Sequence, residues 1–305
     1  MSEIALRLRD VTLTLHRGAP LVMGVVNASP ESFSDGPEVA TLDRQLARAL
    51  ALVDAGADIL DVGGESGVTN RPPISPEAEI GRILPLVTEL VGAGHLVSVD
   101  TWKPPVARAA LDAGAHLIND MSGLRDPAIA EHCAHAGAGL VIMHTRAAPK
   151  VKAYPAYDDV VADVRRFLEE KIDLAAARGV RPAQVVIDPG SDFAKTPRQT
   201  VEVLRRLPEL AGLGRPILLA VSRKDFIGAL TARRPAARLA GTLAAIGEGI
   251  DAGAAILRVH DVAEVTDFLA VRRALRGETE VPPDLHLPEA LRREPERLGT
   301  AGPSG

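Results

Sequence analysis

The sequence predicts an α/β protein, a (β/α)8 TIM barrel with a short N-terminal β-hairpin and a polar C-terminal tail. Eight short apolar runs, rich in β-branched residues, alternate with segments of helical periodicity. Because a helix between two strands returns the chain to the same end of a sheet, this alternation requires parallel strands. The runs are continuously apolar, which indicates strands buried on both faces, as in a closed barrel.

The hairpin and the barrel elements follow in a regular order. Residues 4–15 alternate apolar and polar side chains with a break near residue 10, which predicts a half-exposed hairpin at the bottom of the barrel. The predicted barrel strands cover residues 22–27, 58–62, 96–100, 116–120, 139–144, 185–188, 217–222 and 255–260. The predicted helices cover residues 43–55, 76–91, 104–113, 127–136, 158–178, 197–210, 239–252 and 262–275.

We expect one barrel domain over residues 1–276, with the hairpin in residues 1–18. Four helix-to-strand connections carry a glycine suited to the left-handed backbone that ends many helices: Gly56, Gly114, Gly137 and Gly253. After residue 276 the apolar residues give way to Pro, Glu, Arg and Gly, which predicts a poorly ordered tail over residues 277–305.

The composition excludes several classes of partner. The net charge is −5 and there is no long run of Lys and Arg, so we expect no nucleic acid partner. The N-terminus lacks a basic segment followed by an apolar run, and no apolar stretch approaches membrane-spanning length. Cys133 has no disulfide partner. These features predict a cytoplasmic protein with no membrane partner.

Every predicted barrel strand ends in polar residues, and the functional face of such a barrel lies at the carboxyl ends of its strands. An isolated Asp, Asn or Ser there is often a helix N-cap, and Asp126 and Asp261 are interpreted as caps. Capping does not require the cations beside them, so the whole set predicts a ligand-binding mouth. The strand-end residues are Asn27, Asp61, Asp100, Asn119, Asp120, His144, Asp188, Ser222, Arg223, Lys224, Arg258, His260 and Asp261.

These side chains suit two kinds of ligand group. Carboxylate, amide and ammonium groups around an apolar mouth match the donors and acceptors of a flat heterocycle with several ring nitrogens. Arg258 and His260 suit an anion such as phosphate. Asn27 suits one position around a Mg²⁺ ion that bridges phosphate oxygens. The residues therefore predict a heterocycle that carries phosphate.

Three of the candidate residues have a competing interpretation. Lys224 ends a strand as the Schiff-base lysine of a barrel aldolase does, but its charged neighbours favour an ionised, hydrogen-bonding role. Lys195 is interpreted as a solvated loop cation. His144 is interpreted as a core histidine whose hydrogen bonds are satisfied.

Eight segments, in chain order and each at a predicted strand end, carry a family resemblance. They are MGVVNASPESFSDG (23–36), DVGGES (61–66), SVDT (98–101), INDMSGL (118–124), MH (143–144), IDPG (187–190), SRK (222–224) and RVHD (258–261). Through them the chain resembles the dihydropteroate synthases over residues 21–275. The resemblance implies a homodimeric transferase of folate biosynthesis, which condenses 6-hydroxymethyl-7,8-dihydropterin diphosphate with 4-aminobenzoate and releases diphosphate.

The resemblance also implies a role for individual positions. The pterin would contact Asp61, Asp100, Asn119, Met143, Asp188 and Lys224. The diphosphate would contact Asn27, Arg258 and His260, with Asn27 also at the Mg²⁺ ion. The aminobenzoate side would include Phe33, Thr69, Arg71, Phe193 and Ser222. The expected catalytic residues are Asp100, Lys224, Arg258 and His260.

The sequence departs from the family pattern in two loops. Gly67 and Val68 precede Thr69 where the family has Thr-Arg-Pro-Gly directly after Glu-Ser, and Asp192 stands where the family has glycine. A further acid, Asp225, follows the SRK segment. Since like charges repel, we expect normal pterin diphosphate binding but weaker aminobenzoate binding, improved by Asp192→Gly.

Three other functions fit parts of the pattern. The first is a homologue that binds pterin diphosphate but has lost or changed its second substrate. The second is a pterin-dependent methyltransferase, which has no use for the diphosphate-binding Arg258 and His260. The third is a binding or regulatory subunit, which would not need so complete a set of strand-end groups.

Overall fold

The computed structural model describes residues 3–28, 42–65 and 72–292. An antiparallel hairpin of β1 (Glu3–Leu8) and β2 (Val11–His16) precedes eight parallel strands that close into a barrel, with the last strand paired to the first. The barrel strands are β3 (Leu21–Asn27), β4 (Ile59–Gly63), β5 (Val97–Asp100), β6 (Leu117–Asp120), β7 (Gly139–Met143), β8 (Val185–Asp188), β9 (Ile217–Leu219) and β10 (Ala254–Val259). The predicted barrel and hairpin are confirmed.

Helices follow the barrel strands. They are α1 (Leu42–Asp54), α2 (Pro76–Gly92), α3 (Pro104–Asp112), α4 (Ala128–Ala136), α5 (Val160–Ala177), α6 (Pro197–Arg205), α7 (Asp225–Thr231), α8 (Leu239–Asp251) and α9 (Val262–Leu275). Two differ from prediction. The helix predicted over 197–210 ends at Arg205, since Pro208 lacks a donor N–H, and a 3-10 turn follows it. The seven-residue α7 is too short to show a helical period in the sequence.

The helix ends agree with the sequence pattern. The four glycines expected at left-handed positions have φ angles of 101°, 99°, 67° and 102° at Gly56, Gly114, Gly137 and Gly253. Asp126 caps α4, because its carboxylate accepts a hydrogen bond of 3.0 Å from the Ala128 amide. Asp261 directly precedes α9, and its carbonyl accepts from the Val265 amide at 3.1 Å, while its carboxylate pairs with Arg223, whose Nε lies 3.0 Å away.

The hairpin closes the amino end of the barrel. Leu6, Leu8 and Leu15 are buried and pack in one cluster with side chains from the first halves of the barrel strands, among them Met23 and Ile256. The turn between β1 and β2 is fixed by Arg9, whose amide donates to the Gly137 carbonyl at 2.9 Å. Its guanidinium donates to the Leu111 carbonyl, also at 2.9 Å. The carboxyl end of the barrel is left as the mouth.

Strand register brings the predicted site residues to one level at that mouth. Asn27 pairs with Gly63, Gly63 with Asp100, and Asp100 with Asn119. On the other side Met143 pairs with Asp188. Because these strands are parallel, their carboxyl ends share one edge of the sheet.

The chain falls into two compact units, Met1–Thr266 and Asp267–Gly305, and the described part of the second unit contains a 3-10 turn at Glu289–Leu291. The domain boundary expected at residue 276 stays a prediction. Residues 293–305 of the predicted tail lie outside the described residues. No helix within the described ranges is long and apolar enough to cross a membrane.

Leu8→Ala should lower the free energy of unfolding by about 2–5 kcal/mol, because it opens a cavity between the hairpin and the barrel floor. Urea unfolding followed by circular dichroism measures this loss. Thr14→Ala, on the exposed face of β2, is the matched control and should change stability by less than about 0.5 kcal/mol. Equal losses in the two variants would mean that the hairpin does not close the core.

Candidate active site

Asp61 is the buried acceptor at the centre of the mouth. Its side chain is fully buried, and one carboxylate oxygen accepts a 2.6 Å hydrogen bond from the Ser98 hydroxyl of the neighbouring strand. The other oxygen accepts from Arg258 Nε at 2.6 Å and from Asn119 Nδ2 at 3.1 Å. Strands β4, β5, β6 and β10 are therefore joined through one carboxylate.

Arg258 bridges two carboxylates across the mouth. Besides its bond to Asp61, it donates from Nη2 to Asp100 Oδ2 at 2.7 Å. About one fifth of the Arg258 side-chain surface, 20%, is exposed, so part of the guanidinium group can be reached from the mouth. Among the described residues, its hydrogen bonds use Nε and Nη2, and Nη1 remains available to an anion.

Asp100 carries a buried side-chain oxygen that no hydrogen bond from the described residues reaches. Its Oδ1 is buried and has no hydrogen-bond partner within the described chain. Burial raises the pKa of Asp100 to about 7, with the Arg258 cation opposing the rise and the Asp61 carboxylate adding to it. A carboxyl group with this pKa accepts or donates a hydrogen bond near neutral pH.

Asp188 and Lys224 stand on the opposite side of the mouth. Asp188 Oδ1 accepts from the Gly190 amide at 2.7 Å, and burial raises the pKa of its carboxyl group. Lys224 Nζ lies 4.2 Å from the centre of the Phe193 ring, a cation–π contact. Burial lowers the pKa of Lys224, while the Asp192 and Asp188 carboxylates raise it.

Ser222 holds His260 at the rim. The Ser222 hydroxyl oxygen accepts from the His260 amide at 3.2 Å, so its hydrogen is free to donate to the imidazole Nδ1 at 3.0 Å. This leaves Nε2 of the ring as the donor. Burial and the Arg258 and Arg223 cations lower the pKa of His260 to about 4, so the imidazole is neutral at neutral pH.

Lys195 lies in the loop between β8 and α6, and its side chain is buried. Only 1% of it is exposed, and its Nζ lies 2.6 Å from His144 Nδ1 and donates to the Gly190 and Phe193 carbonyls at 3.0 and 3.2 Å. Burial lowers the pKa of Lys195 to about 7. The interpretation of Lys195 as a solvated cation is wrong, because its side chain is buried and its ammonium is hydrogen-bonded within the protein.

His144 connects Lys195 to α5. It is fully buried, and its Nε2 lies 3.1 Å from the Asp163 carboxylate, which also accepts from Arg146 at 2.6 and 2.8 Å. Burial and the Lys195 cation lower the pKa of His144 to about 3. The neutral ring accepts from Lys195 at Nδ1 and donates to Asp163 from Nε2. Its interpretation as a satisfied core histidine agrees with these contacts.

A second buried charge cluster was missed by sequence reasoning. Lys103 Nζ lies 2.6 Å from Glu65 and 2.7 Å from Glu79, and Lys150 Nζ lies 2.8 Å from the other Glu65 oxygen. Both lysines thus fix Glu65, the last described residue before segment 66–71. The sequence shows Lys103 shortly after the end of β5. Its partners Glu65 and Glu79 are too far away along the chain to be recognised from the sequence.

The remaining predicted residues divide into two groups. Asn27 ends β3 at the level of Asp100, and Met143 is buried beside Asp188. Phe33, Thr69 and Arg71, expected on the aminobenzoate side, lie outside the described residues.

The two unusual acids have partners inside the protein. The Asp192 carboxylate accepts from the Thr200 hydroxyl at 3.1 Å and from the Phe226 amide at 3.2 Å. Asp225 is exposed and pairs with Arg238 at 2.9 Å. These partners hold the two acids in place, and the weaker aminobenzoate binding expected from their charges stays a prediction.

Residues 23–260 match a family model described as pterin binding enzyme. The dihydropteroate synthase of Mycobacterium leprae is 44% identical over 82% of this chain and 91% of its own length. The chain belongs to the dihydropteroate synthases, within this pterin-binding family. The family resemblance read from the strand-end segments is confirmed.

Solved structures of the family agree with this fold. A Xanthomonas albilineans dihydropteroate synthase with 4-aminobenzoic acid is 42% identical, with a TM-score of 0.84 over 92% of this chain and all of that chain. A structure of that enzyme in complex with 7,8-dihydropteroate has a TM-score of 0.81 over 91% of this chain and all of that chain, at 42% identity.

Between pH 6.5 and pH 4.5 the protein should lose stability through His144. An unfolded histidine, with its ordinary pKa of 6.5, binds a proton in this range, whereas the folded imidazole with a pKa of about 3 does not. Stability therefore falls as the pH falls, by about 1.4 kcal/mol per pH unit once the unfolded ring is protonated. Urea unfolding across this range measures the slope.

His144→Asn should remove that part of the slope while lowering stability at neutral pH. His135→Asn, at an exposed position of α4, is the control and should keep the wild-type slope. A wild-type slope in His144→Asn would show that the difference in protonation between folded and unfolded His144 does not cause this loss of stability.

Proposed function

We propose that this protein condenses 6-hydroxymethyl-7,8-dihydropterin diphosphate with 4-aminobenzoate, forming dihydropteroate and releasing diphosphate. The observation that carries the proposal is the buried Asp100 Oδ1, which lacks a partner among the described residues at the functional end of a pterin-binding barrel. A buried carboxylate oxygen without a hydrogen bond is costly unless a ligand supplies one. A pterin ring, which presents N–H and amino donors, does so.

The pterin would lie between the two carboxylate sides of the mouth. Asp100 and Asp188 supply acceptors for ring N–H and amino groups, and Lys224 supplies a donor. Asn119, held by its bond to Asp61, offers its remaining amide atoms. Met143 gives an apolar face for the flat ring.

The diphosphate would lie on the Arg258 side. Arg258 is oriented by its two carboxylate partners and offers Nη1 to a phosphate oxygen. The neutral His260 donates from Nε2, because Ser222 occupies Nδ1. Both donors would stabilise the charge that develops on the leaving oxygen.

A Mg²⁺ ion is also part of the proposal. In the described part of the chain no three His, Cys, Asp or Glu side chains are grouped as a metal site. Asn27 would supply one side-chain oxygen to the ion, and diphosphate oxygens and water would supply the other ligands. When bound, the ion would neutralise negative charge on the diphosphate.

The chemical step needs only charge stabilisation and positioning. The bond between the pterin methylene carbon and the diphosphate oxygen breaks, and its electron pair leaves with the diphosphate. The Asp61 and Asp100 carboxylates lie on the side of the mouth where they would stabilise the resulting cation. The arylamine nitrogen then forms the new carbon–nitrogen bond and releases one proton.

The second substrate would approach over Phe193 and Ser222. Lys224 Nζ lies over one face of the Phe193 ring, and the ring would offer its remaining surface to an aromatic amine. Glu65 and its two lysine partners fix the chain where segment 66–71 begins. The roles of Phe33, Thr69 and Arg71 stay predictions, as do the homodimer and the cytoplasmic location.

Turnover of both substrates by the purified protein tests the proposal. Equal amounts of diphosphate and dihydropteroate should appear, and Arg258→Met should reduce both by at least about tenfold, because the charge-stabilising fork is lost. Pterin diphosphate binding without dihydropteroate formation would instead favour the homologue with an altered second substrate. Failure to bind the pterin diphosphate would reject both functions.

Asp188→Asn should weaken pterin diphosphate binding by about 1.5–3 kcal/mol, because a buried charge-assisted hydrogen bond is lost. Isothermal titration calorimetry measures the affinity, and circular dichroism checks the fold. Asp112→Asn, an exposed acid on α3, is the control and should bind like the wild type. Unchanged affinity in Asp188→Asn would place this carboxylate outside the pterin site.

A further inference from the structure

We propose that Asp192 is a positioning residue that locks the loop after β8 onto the start of α7 and so fixes Phe193 against Lys224. The inference rests on the proposed function, because it assumes that this pair faces the substrates. It assigns a role to an acid that stands where the family pattern has glycine.

The hydrogen bonds of Asp192 join three parts of the chain. Its amide donates to the buried Thr200 hydroxyl at 3.1 Å, and the same hydroxyl lies 3.1 Å from its carboxylate, which attaches the loop to α6. The other carboxylate oxygen accepts at 3.2 Å from the amide of Phe226, in the first turn of α7. Lys224 immediately precedes that helix, so one carboxylate fixes both sides of the Phe193–Lys224 contact.

The backbone of this loop needs such support. Asp192 and the nearby Ala194 have φ angles of 65° and 51°, in the left-handed region that favours glycine. Aspartate tolerates this region better than most residues, but alanine gains nothing there to offset the cost. The loop is held from below by Lys195, which donates to the Phe193 carbonyl, and by the Tyr157 hydroxyl, which donates to Ala194 at 2.8 Å.

The charge of Asp192 acts on Lys224 as well. The charged groups around that ammonium are Asp192 and Lys195 from the loop, Asp188 from β8, Asp100 from β5 and Arg258 from β10. Burial lowers the pKa of Lys224, and among the neighbours Asp192 opposes this effect most strongly. Asp192 therefore has two separable functions: a hydrogen-bond acceptor for α7 and a negative charge that favours the protonated form of Lys224.

Two substitutions separate these functions. Asp192→Asn keeps an oxygen that accepts from the Phe226 amide but removes the charge, whereas Asp192→Ala removes both. Asp225→Asn is the matched control, since Asp225 is an exposed acid beside Lys224 that pairs with Arg238 instead. Hydrogen exchange at the Phe226 amide reports the bond, and the pH profile of pterin diphosphate binding reports the charge.

In Asp192→Asn the Phe226 amide should stay protected, while the alkaline limit of binding should move to lower pH as Lys224 loses its proton more readily. In Asp192→Ala the amide should exchange about tenfold faster, and KM for both substrates should rise about tenfold with a smaller change in kcat. Asp225→Asn should change neither measurement.

Wild-type exchange and a wild-type pH limit in Asp192→Ala would overturn the inference, as would an equal shift in Asp225→Asn. If the wild-type protein does not bind pterin diphosphate, the proposed function fails, while Phe226 exchange in the two variants still decides whether Asp192 locks the loop. Tighter aminobenzoate binding in Asp192→Ala would restore the view that this charge merely repels the second substrate.

Discussion

The salt bridges of Arg258 with Asp61 and Asp100 organise the mouth of the barrel. Three charged groups sit where burial is expensive, and removing one of them would leave another without compensation. Their geometry offsets this cost, because the planar guanidinium spans two carboxylates on different strands and its outer edge remains open. The same arrangement that joins β10 to β4 and β5 therefore prepares an anion-binding edge next to an unsatisfied carboxylate oxygen.

A second layer of buried charge supports this first one. Lys195, His144 and Asp163 lie in series at the loop after β8, and Lys103 and Lys150 hold Glu65, two residues after the end of β4. Each group fixes the point where a loop leaves a rigid strand, which is how a barrel presents precise contacts on loops.

Sequence reasoning succeeded where local chemistry determines the structure. The apolar runs predicted the strands, their ends predicted the mouth, and Asn27, Asp100 and Asn119 do share one level because parallel register is regular. Helix ends followed from glycine and proline. These features depend on residues close together in the chain.

Contacts between distant segments could not be predicted in this way. Lys195 resembles any loop lysine until α5 and the loop after β8 are known to cover it, and Lys103 finds its partners 24 and 38 residues away. The short α7 was missed, and with it the amide to which Asp192 bonds. An unusual residue in a loop was recognisable from sequence, but its partner was not.

The hairpin at the barrel floor has a consequence for the order of events. Leu6 and Leu8 fill the amino end of the barrel. In the proposed reaction, substrates and products would therefore enter and leave through the mouth at the carboxyl end. A molecule bound deep in the mouth must bind before one that covers it, and it cannot leave through the amino end. In the proposed reaction the pterin diphosphate would therefore bind before the aminobenzoate, and dihydropteroate would have to leave before the next pterin diphosphate binds.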